Sequence, residues 1–110
     1  MSFLSLFFGN RNNKGILLLP HEFKTKVINK KVQLIDVRTT NEFKMGHIKG
    51  ATNIDFYSTR FYMELNKLKK NKPVYLYCRT GIRSRKAANK MARMDFLEIY
   101  DLKGGYVNWE

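Results

Sequence analysis

Residues 74–94, VYLYCRTGIRSRKAANKMARM, set a strand-forming run against a helix-forming one, with the chain's only cysteine, Cys78, at the joint. VYLYC (74–78) is an almost unbroken apolar run, the pattern of a strand covered on both faces. Beyond it, Ala87, Met91 and Met94 recur at helical spacing with Ala88 and Ala92 beside them, so one stripe of the predicted helix faces a core. In open α/β sheets, ligands gather at the carboxyl ends of strands, where the amides of the next helix point outward, and Cys78 falls at such a point.

The same alternation runs through the rest of the chain. ILLL (16–19) and VQLIDV (32–37) read as further buried strands, with shorter candidates in ATNI (51–54) and EIYDL (98–102). Between them, Pro20 suits a first helical turn and is followed by Phe23 and Val27, while Phe61, Leu65 and Leu68 mark another apolar stripe. The expected fold class is α/β: one domain with a mostly parallel central sheet and helices on both faces. Its predicted extent is residues 15–110, preceded by an extension at 1–14 whose apolar patch, Phe3 to Phe8, gives way to the polar stretch GNRNNKG (9–15).

A chain of 110 residues fits one core, and 44% hydrophobic with 14% aromatic residues is enough to fill it. Lysine and arginine outnumber aspartate and glutamate by 21 to 9, a formal net charge of +12 that favours anionic partners. Most of the excess is lysine scattered as on solvated helix faces, and no basic stripe with interleaved aromatics marks a nucleic-acid surface, so nucleic acid is not the expected partner. A single cysteine forms no internal disulfide, which makes a reducing cytoplasm the expected compartment. The first residues lack the early charge and small-residue cleavage site of a secretory signal, and the apolar patch is far shorter than the roughly 20 residues that span a bilayer. No transmembrane segment is expected, and packing on the domain or on a partner is the expected role of the patch.

The loop CRTGIRS (78–84) carries the chemistry. Gly81 permits a positive φ or a close approach, so that the amides of Arg79 to Ser84 can turn toward the sulfur as an anion cradle. Ser84 is expected to cap the following helix, whose positive end faces the same space. A free thiol titrates at about 8.5, and only the thiolate is nucleophilic. A helix terminus supplies up to about 2 kcal/mol, and one pKa unit corresponds to about 1.4 kcal/mol, so that term alone lowers the thiol by roughly one unit. Arg79 and Arg83 add to it and attract an anionic substrate. A lone cysteine is ordinarily a small buried hydrophobe; the glycine and the two arginines shift the reading to a reactive thiol.

CRTGIRS resembles the active-site loop of the rhodanese family of sulfurtransferases, and the resemblance extends over roughly residues 15–110. LIDVRTTNEFKMGHIKGATNID (34–55) is similar to that family's amino-terminal signature, and YDLKGGYVNW (100–109) to its closing one. The resemblance implies that Cys78 takes a sulfane sulfur from a small anionic donor such as thiosulfate, becomes a persulfide, and passes the sulfur to a thiol or protein acceptor. Arg79, Thr80, Gly81, Ile82, Arg83 and Ser84 would bind the donor, with no metal or organic cofactor. The alternatives are a noncatalytic or carrier module serving a protein partner and, more weakly, a phosphate or arsenate hydrolase or reductase. The last needs an arginine six positions after the nucleophile; serine stands there, with Arg83 one place early and Arg85 one late.

The remaining polar residues read as support. Asp36 and Arg38 share a strand face, and Thr39 with Glu42 fits a capping box. Asp36, Arg38 and Glu42 are expected to form one carboxylate-guanidinium cluster holding the loops; the family resemblance allows Asp36 and Arg38 a secondary part near the mouth of the site and implies that His47 is a loop organiser rather than a base. His21 is expected at the surface. Trp109, Tyr106 and the pair Gly104-Gly105 are expected to close the domain, and the chain's end at Glu110 to leave the site open to a protein acceptor.

Overall fold

The computed structural model describes residues 15–109; the apolar segment 1–14 and Glu110 lie outside the described residues. Five strands, β1 (Ile16–Leu18), β2 (Gln33–Asp36), β3 (Thr52–Asn53), β4 (Val74–Tyr77) and β5 (Ile99–Leu102), form one sheet in the order β1-β5-β4-β2-β3. Every pairing is parallel. Four helices, α1 (Pro20–Val27), α2 (Thr40–Lys44), α3 (Phe61–Leu65) and α4 (Ile82–Arg93), connect them, and a 3-10 turn (Tyr106–Asn108) closes the described chain. The α/β architecture with a parallel sheet is thus the one the apolar pattern dictates.

The central strand β4 is buried at all four positions, and its alternate residues feed two cores. Val74, Leu76 and Cys78 face Phe61 and Leu65 of α3 and Ala87, Ala88 and Met91 of α4. Tyr75 and Tyr77 face Phe23 and Val27 of α1. That division explains why the strand reads as a continuous apolar run, since both of its faces exclude water. Phe23 is fully buried and meets Tyr75 and Trp109 edge to face, with ring centroids 5.8 and 6.1 Å apart. Burial of such a ring stabilises by about 1.5–3 kcal/mol, which draws the carboxyl-terminal turn onto α1.

Local chemistry sets the helix ends. Pro20 occupies the first turn of α1, and the Leu19 amide donates to Glu22 Oε1 (2.9 Å). At α2 the expected capping box forms: the Glu42 amide donates to Thr39 Oγ1 (3.2 Å) and the Thr39 amide to Glu42 Oε1 (2.9 Å).

Three expectations are corrected. Among the described residues β1 is an edge strand, paired only with β5, with Ile16 58% and Leu17 43% exposed; its apolar run does not denote a fully covered strand. α3 ends at Leu65, and Leu68 packs on the core from the turn beyond. α4 ends at Arg93, with Met94 as its cap residue. Among the described residues no helix is long and apolar enough to cross a membrane.

Candidate functional site

Cys78 directly follows β4 at the carboxyl edge of the sheet, and the chain turns through Arg79, Thr80 and Gly81 into α4. Gly81 has φ +112°, a left-handed conformation that suits glycine, and it is the N-cap of α4. This turn brings the Gly81 N–H back onto Cys78 Sγ at 3.1 Å. The amides of Ile82, Arg83 and Ser84 belong to the first turn of the helix, where no intrahelical carbonyl takes them. An anion added at the sulfur therefore meets backbone donors at the positive end of a twelve-residue helix.

Ser84 is not the cap of α4. It sits in the helix, fully buried, with Oγ 3.5 Å from Cys78 Sγ and 3.3 Å from the Gly81 carbonyl oxygen. Its hydroxyl serves the sulfur and the turn because Gly81 already supplies the change of backbone direction. Arg79 and Thr80 are exposed at the loop's rim, and Ile82 is 65% exposed beside them. A groove of about 450 Å³ opens along this side, lined by Leu17, Thr80, Ile82, Arg85, Lys86 and Lys103 among others. Cys78 itself is 1% exposed, with its sulfur under the loop's own backbone.

The two arginines of the loop differ. Arg83 is paired with Glu42, Nη1 to Oε1 at 2.7 Å and Nη2 to Oε2 at 3.0 Å, and lies over the Tyr57 ring. The Arg83 bond is the main force holding the Glu42 carboxyl down to about 2, against the cost of partial burial and with help from the Thr39 amide. The same bond raises the guanidinium's own pKa, to which the charge of Cys78 adds. Arg83 is thus a charge fixed in place near the sulfur, whereas Arg79 is left to solvent.

Glu42 therefore does not join Asp36 and Arg38, as the sequence led us to expect. The latter two form a separate buried pair: Arg38 Nη2 donates to Asp36 Oδ2 (2.6 Å) and to the Gly46 carbonyl (2.6 Å), with its guanidinium 4.4 Å above the Tyr106 ring. Their side chains are 5% and 0% exposed, so the pair is buried behind the loop it braces. His47 is exposed, stacks on Phe43 at 3.7 Å, and places Nδ1 2.9 Å from the Phe43 carbonyl oxygen, the separation of a donated ring N–H. His21 is exposed as expected.

Two features of the site were missed from the sequence. The sequence shows Gly104-Gly105 only as a closing turn, yet the Gly105 backbone presses on the loop: a Cβ there would lie 2.4 Å from the Arg79 carbonyl oxygen. The next residues anchor the loop from behind, Tyr106 N–H donating to the Cys78 carbonyl (2.8 Å) and Val107 N–H to the Arg79 carbonyl (3.1 Å). The second feature is Asp101 on β5, 3% exposed, whose carboxyl is pushed up to about 6 by burial, a rise partly offset by the Ser84 hydroxyl and the Arg85 charge. The only available signal was one acidic residue within an apolar strand.

A parallel α/β domain with a buried thiol at the carboxyl end of its central strand, facing the first turn of the next helix, defines a class of proteins. Within that class, the chain belongs to the rhodanese-like domain family, whose model matches residues 19–110. It is 46% identical over 80 residues to the uncharacterized protein YqhL of Bacillus subtilis, covering 73% of this chain and 62% of that one. It is 32% identical to the thiosulfate sulfurtransferase GlpE of Shewanella oneidensis, over 73% of this chain and 77% of the other. It is 33% identical to the tRNA uridine(34) hydroxylase of Pelagibacter ubique, over 96% of this chain but 36% of that longer protein. The chain thus spans less than two thirds of YqhL and about a third of the hydroxylase. Among solved structures, a rhodanese-like domain protein from Staphylococcus aureus superposes with a TM-score of 0.75 at 30% identity, over 86% of this chain and 91% of that one.

Proposed function

We propose that the chain is a sulfurtransferase that moves a sulfane sulfur from a small anionic donor such as thiosulfate to a thiol or protein acceptor through a persulfide on Cys78. The observation that carries this reading is the Gly81 N–H at 3.1 Å from the Cys78 sulfur, with the free first-turn amides of α4 beyond it. Preorganised donors of this kind stabilise the negative charge that arrives with the second sulfur. The 32% identity to a thiosulfate sulfurtransferase that this chain covers for most of its length supports the choice of donor.

In the first half-reaction the Cys78 thiolate attacks the outer sulfur of thiosulfate. A new sulfur–sulfur bond forms at Cys78, the bond to the sulfonate breaks, and sulfite leaves with its electron pair. In the second, an acceptor thiolate attacks the terminal sulfur, and the Cys78 thiolate is released. Neither half-reaction needs a cofactor. Arg79, exposed at the rim, is assigned to the donor's oxygens; Arg83, held by Glu42, supplies a fixed positive field rather than a mobile clamp.

The test is intact mass after incubation with thiosulfate and removal of excess donor. The protein should gain one sulfur atom and release sulfite, and Cys78→Ser should do neither. A Cys78→Ser protein that still acquires the mass would refute the assignment. The second reading, a module that carries sulfur for a larger assembly without turnover, is favoured by the 36% coverage of the hydroxylase relative. It predicts loading with no catalytic discharge to small thiols.

A further inference from the structure

The groove beside the loop is bordered by Leu17 of β1 and by Ile82, Arg85 and Lys86 of α4, with Leu102 and Lys103 at the end of β5. Thr80 and Gly81 border it as well, and the Gly81 N–H lies 3.1 Å from the Cys78 sulfur. Whatever occupies the groove therefore rests against the loop that covers the thiol.

Arg85, Lys86 and Lys103 are exposed, and the sulfur-transfer reading uses none of them. Among the described residues they form no ion pair, and no carboxylate lines the groove with them. Asp101, the register neighbour of Leu17, is buried in the sheet and pairs with none of the three. Three like charges along one groove attract an anion. The same groove exposes two aliphatic side chains, Leu17 at 43% and Ile82 at 65%, and covering them removes apolar surface from water. Carboxylates interspersed with aliphatic groups, as in an acidic peptide segment, match both properties. A nucleic acid matches only the charge, because no aromatic ring lines the groove for a base to stack on. The chain's own segment 1–14 carries Arg11 and Lys14 with no carboxylate, and a second copy of the chain brings a further +12, so neither is complementary.

We propose that this groove docks an acidic, extended segment of the protein that accepts the sulfur, and so brings the acceptor's thiol to the loop at Cys78. The proposal rests on the reading of Cys78 as the sulfur carrier and adds the chemistry of the acceptor. In the docked pair the acceptor thiolate attacks the terminal sulfur of the persulfide. A sulfur–sulfur bond forms on the acceptor, the one to Cys78 breaks, and the Cys78 thiolate leaves with the electron pair.

The test follows discharge of the persulfide-loaded full chain, by intact mass, to a short synthetic peptide with one cysteine flanked by alternating glutamate and leucine. The comparison peptide has glutamine in place of glutamate. Three exposed ion pairs of ordinary surface strength sum to about tenfold, so the glutamate peptide should accept sulfur about ten times faster at low salt. The advantage should shrink as salt is added and vanish in Lys86→Glu/Lys103→Glu, whereas discharge to dithiothreitol, an uncharged thiol, should be the same in both proteins. Equal rates for the two peptides, or an advantage that survives in the double variant, would overturn the proposal.

Binding is measured separately on the unloaded full chain, by fluorescence anisotropy of a labelled glutamate peptide with serine in place of its cysteine. Wild type should bind it at low salt and the double variant should not. A groove filled by residues 1–14 or by a second copy shows no binding, and that result overturns the proposal. Tighter binding of a single-stranded RNA of equal charge through the same two lysines overturns it too. Lysine-dependent peptide binding in a protein that thiosulfate does not load sinks the sulfurtransferase reading alone; loading with no preference between the peptides sinks the groove alone.

Discussion

Replacing Gly105 with alanine is the perturbation that most directly tests how the loop is held. Gly105 has φ +70°, and a Cβ would lie 2.4 Å from the Arg79 carbonyl oxygen, 2.5 Å from its carbon and 2.7 Å from the Thr80 nitrogen. Ordinary contact distance is about 1 Å greater, and the atoms in the way are backbone, so the loop must move as a unit. That movement strains the bonds from Val107 N–H to the Arg79 carbonyl and from Tyr106 N–H to the Cys78 carbonyl. Two strained bonds at about 1 kcal/mol each, with about 1 kcal/mol for the left-handed conformation, give roughly 2–4 kcal/mol. For a domain of this size that lowers Tm by about 10–20 °C. The displaced Gly81 amide should also cost sulfur transfer about a hundredfold, as an error of 1 Å in a catalytic group does. Gly50→Ala is the control, since Gly50 has φ +91° but nothing within 4 Å of a new Cβ. It should lose about 1 kcal/mol and no activity. The assays are thermal unfolding and the initial rate of sulfite release from thiosulfate. A Gly105→Ala protein that melts and turns over like Gly50→Ala would refute the reasoning.

Glu42→Gln isolates the ion pair with Arg83, because glutamine still serves the capping box at Thr39. The Glu42 carboxyl titrates at about 2 when folded against an ordinary 4.5, so its contribution is fully present above about pH 4.5 and is lost as pH falls toward 2. With the carboxylate side chain 29% exposed, about 1–2 kcal/mol is expected after screening. Denaturant unfolding should show that gap between wild type and E42Q near neutral pH, shrinking below pH 4.5; a gap that stays constant into acid rules out the pair as its source. Tyr77→Phe removes the hydroxyl that accepts the Ile48 N–H at 3.0 Å in the core, and should destabilise by about 1–3 kcal/mol by chemical denaturation while leaving thiosulfate loading intact. Loss of loading without loss of stability would place Tyr77 in the chemistry instead.

What could be read along the chain was whatever depends on near neighbours. The unbroken apolar run of β4, Pro20 at the start of α1, the capping box of Thr39 and Glu42, and the glycine between Cys78 and Ser84 each express a rule acting over a few residues. Together they imply a parallel α/β domain with its thiol at a strand's carboxyl end. The resemblance of three ordered motifs to a known family added the chemistry expected there. Local rules also misled at the run 16–19, which matches a covered strand, whereas β1 is an edge among the described residues.

Only the fold could decide which distant groups meet. Glu42 and Arg83 are 41 residues apart, so the sequence grouped Glu42 with the nearer Asp36 and Arg38, although the α2 and α4 termini converge at the same sheet edge. Gly105 reached the Arg79 carbonyl, and Asp101 was buried in the sheet beside Leu76, through the pairing of β5 beside β4 and the packing of α4 across them. A one-dimensional pattern records how often apolar residues recur, which specifies the faces of each element. The approach of two charges or two backbones to within hydrogen-bond range depends on strand order and helix placement, and those are settled when the whole core closes.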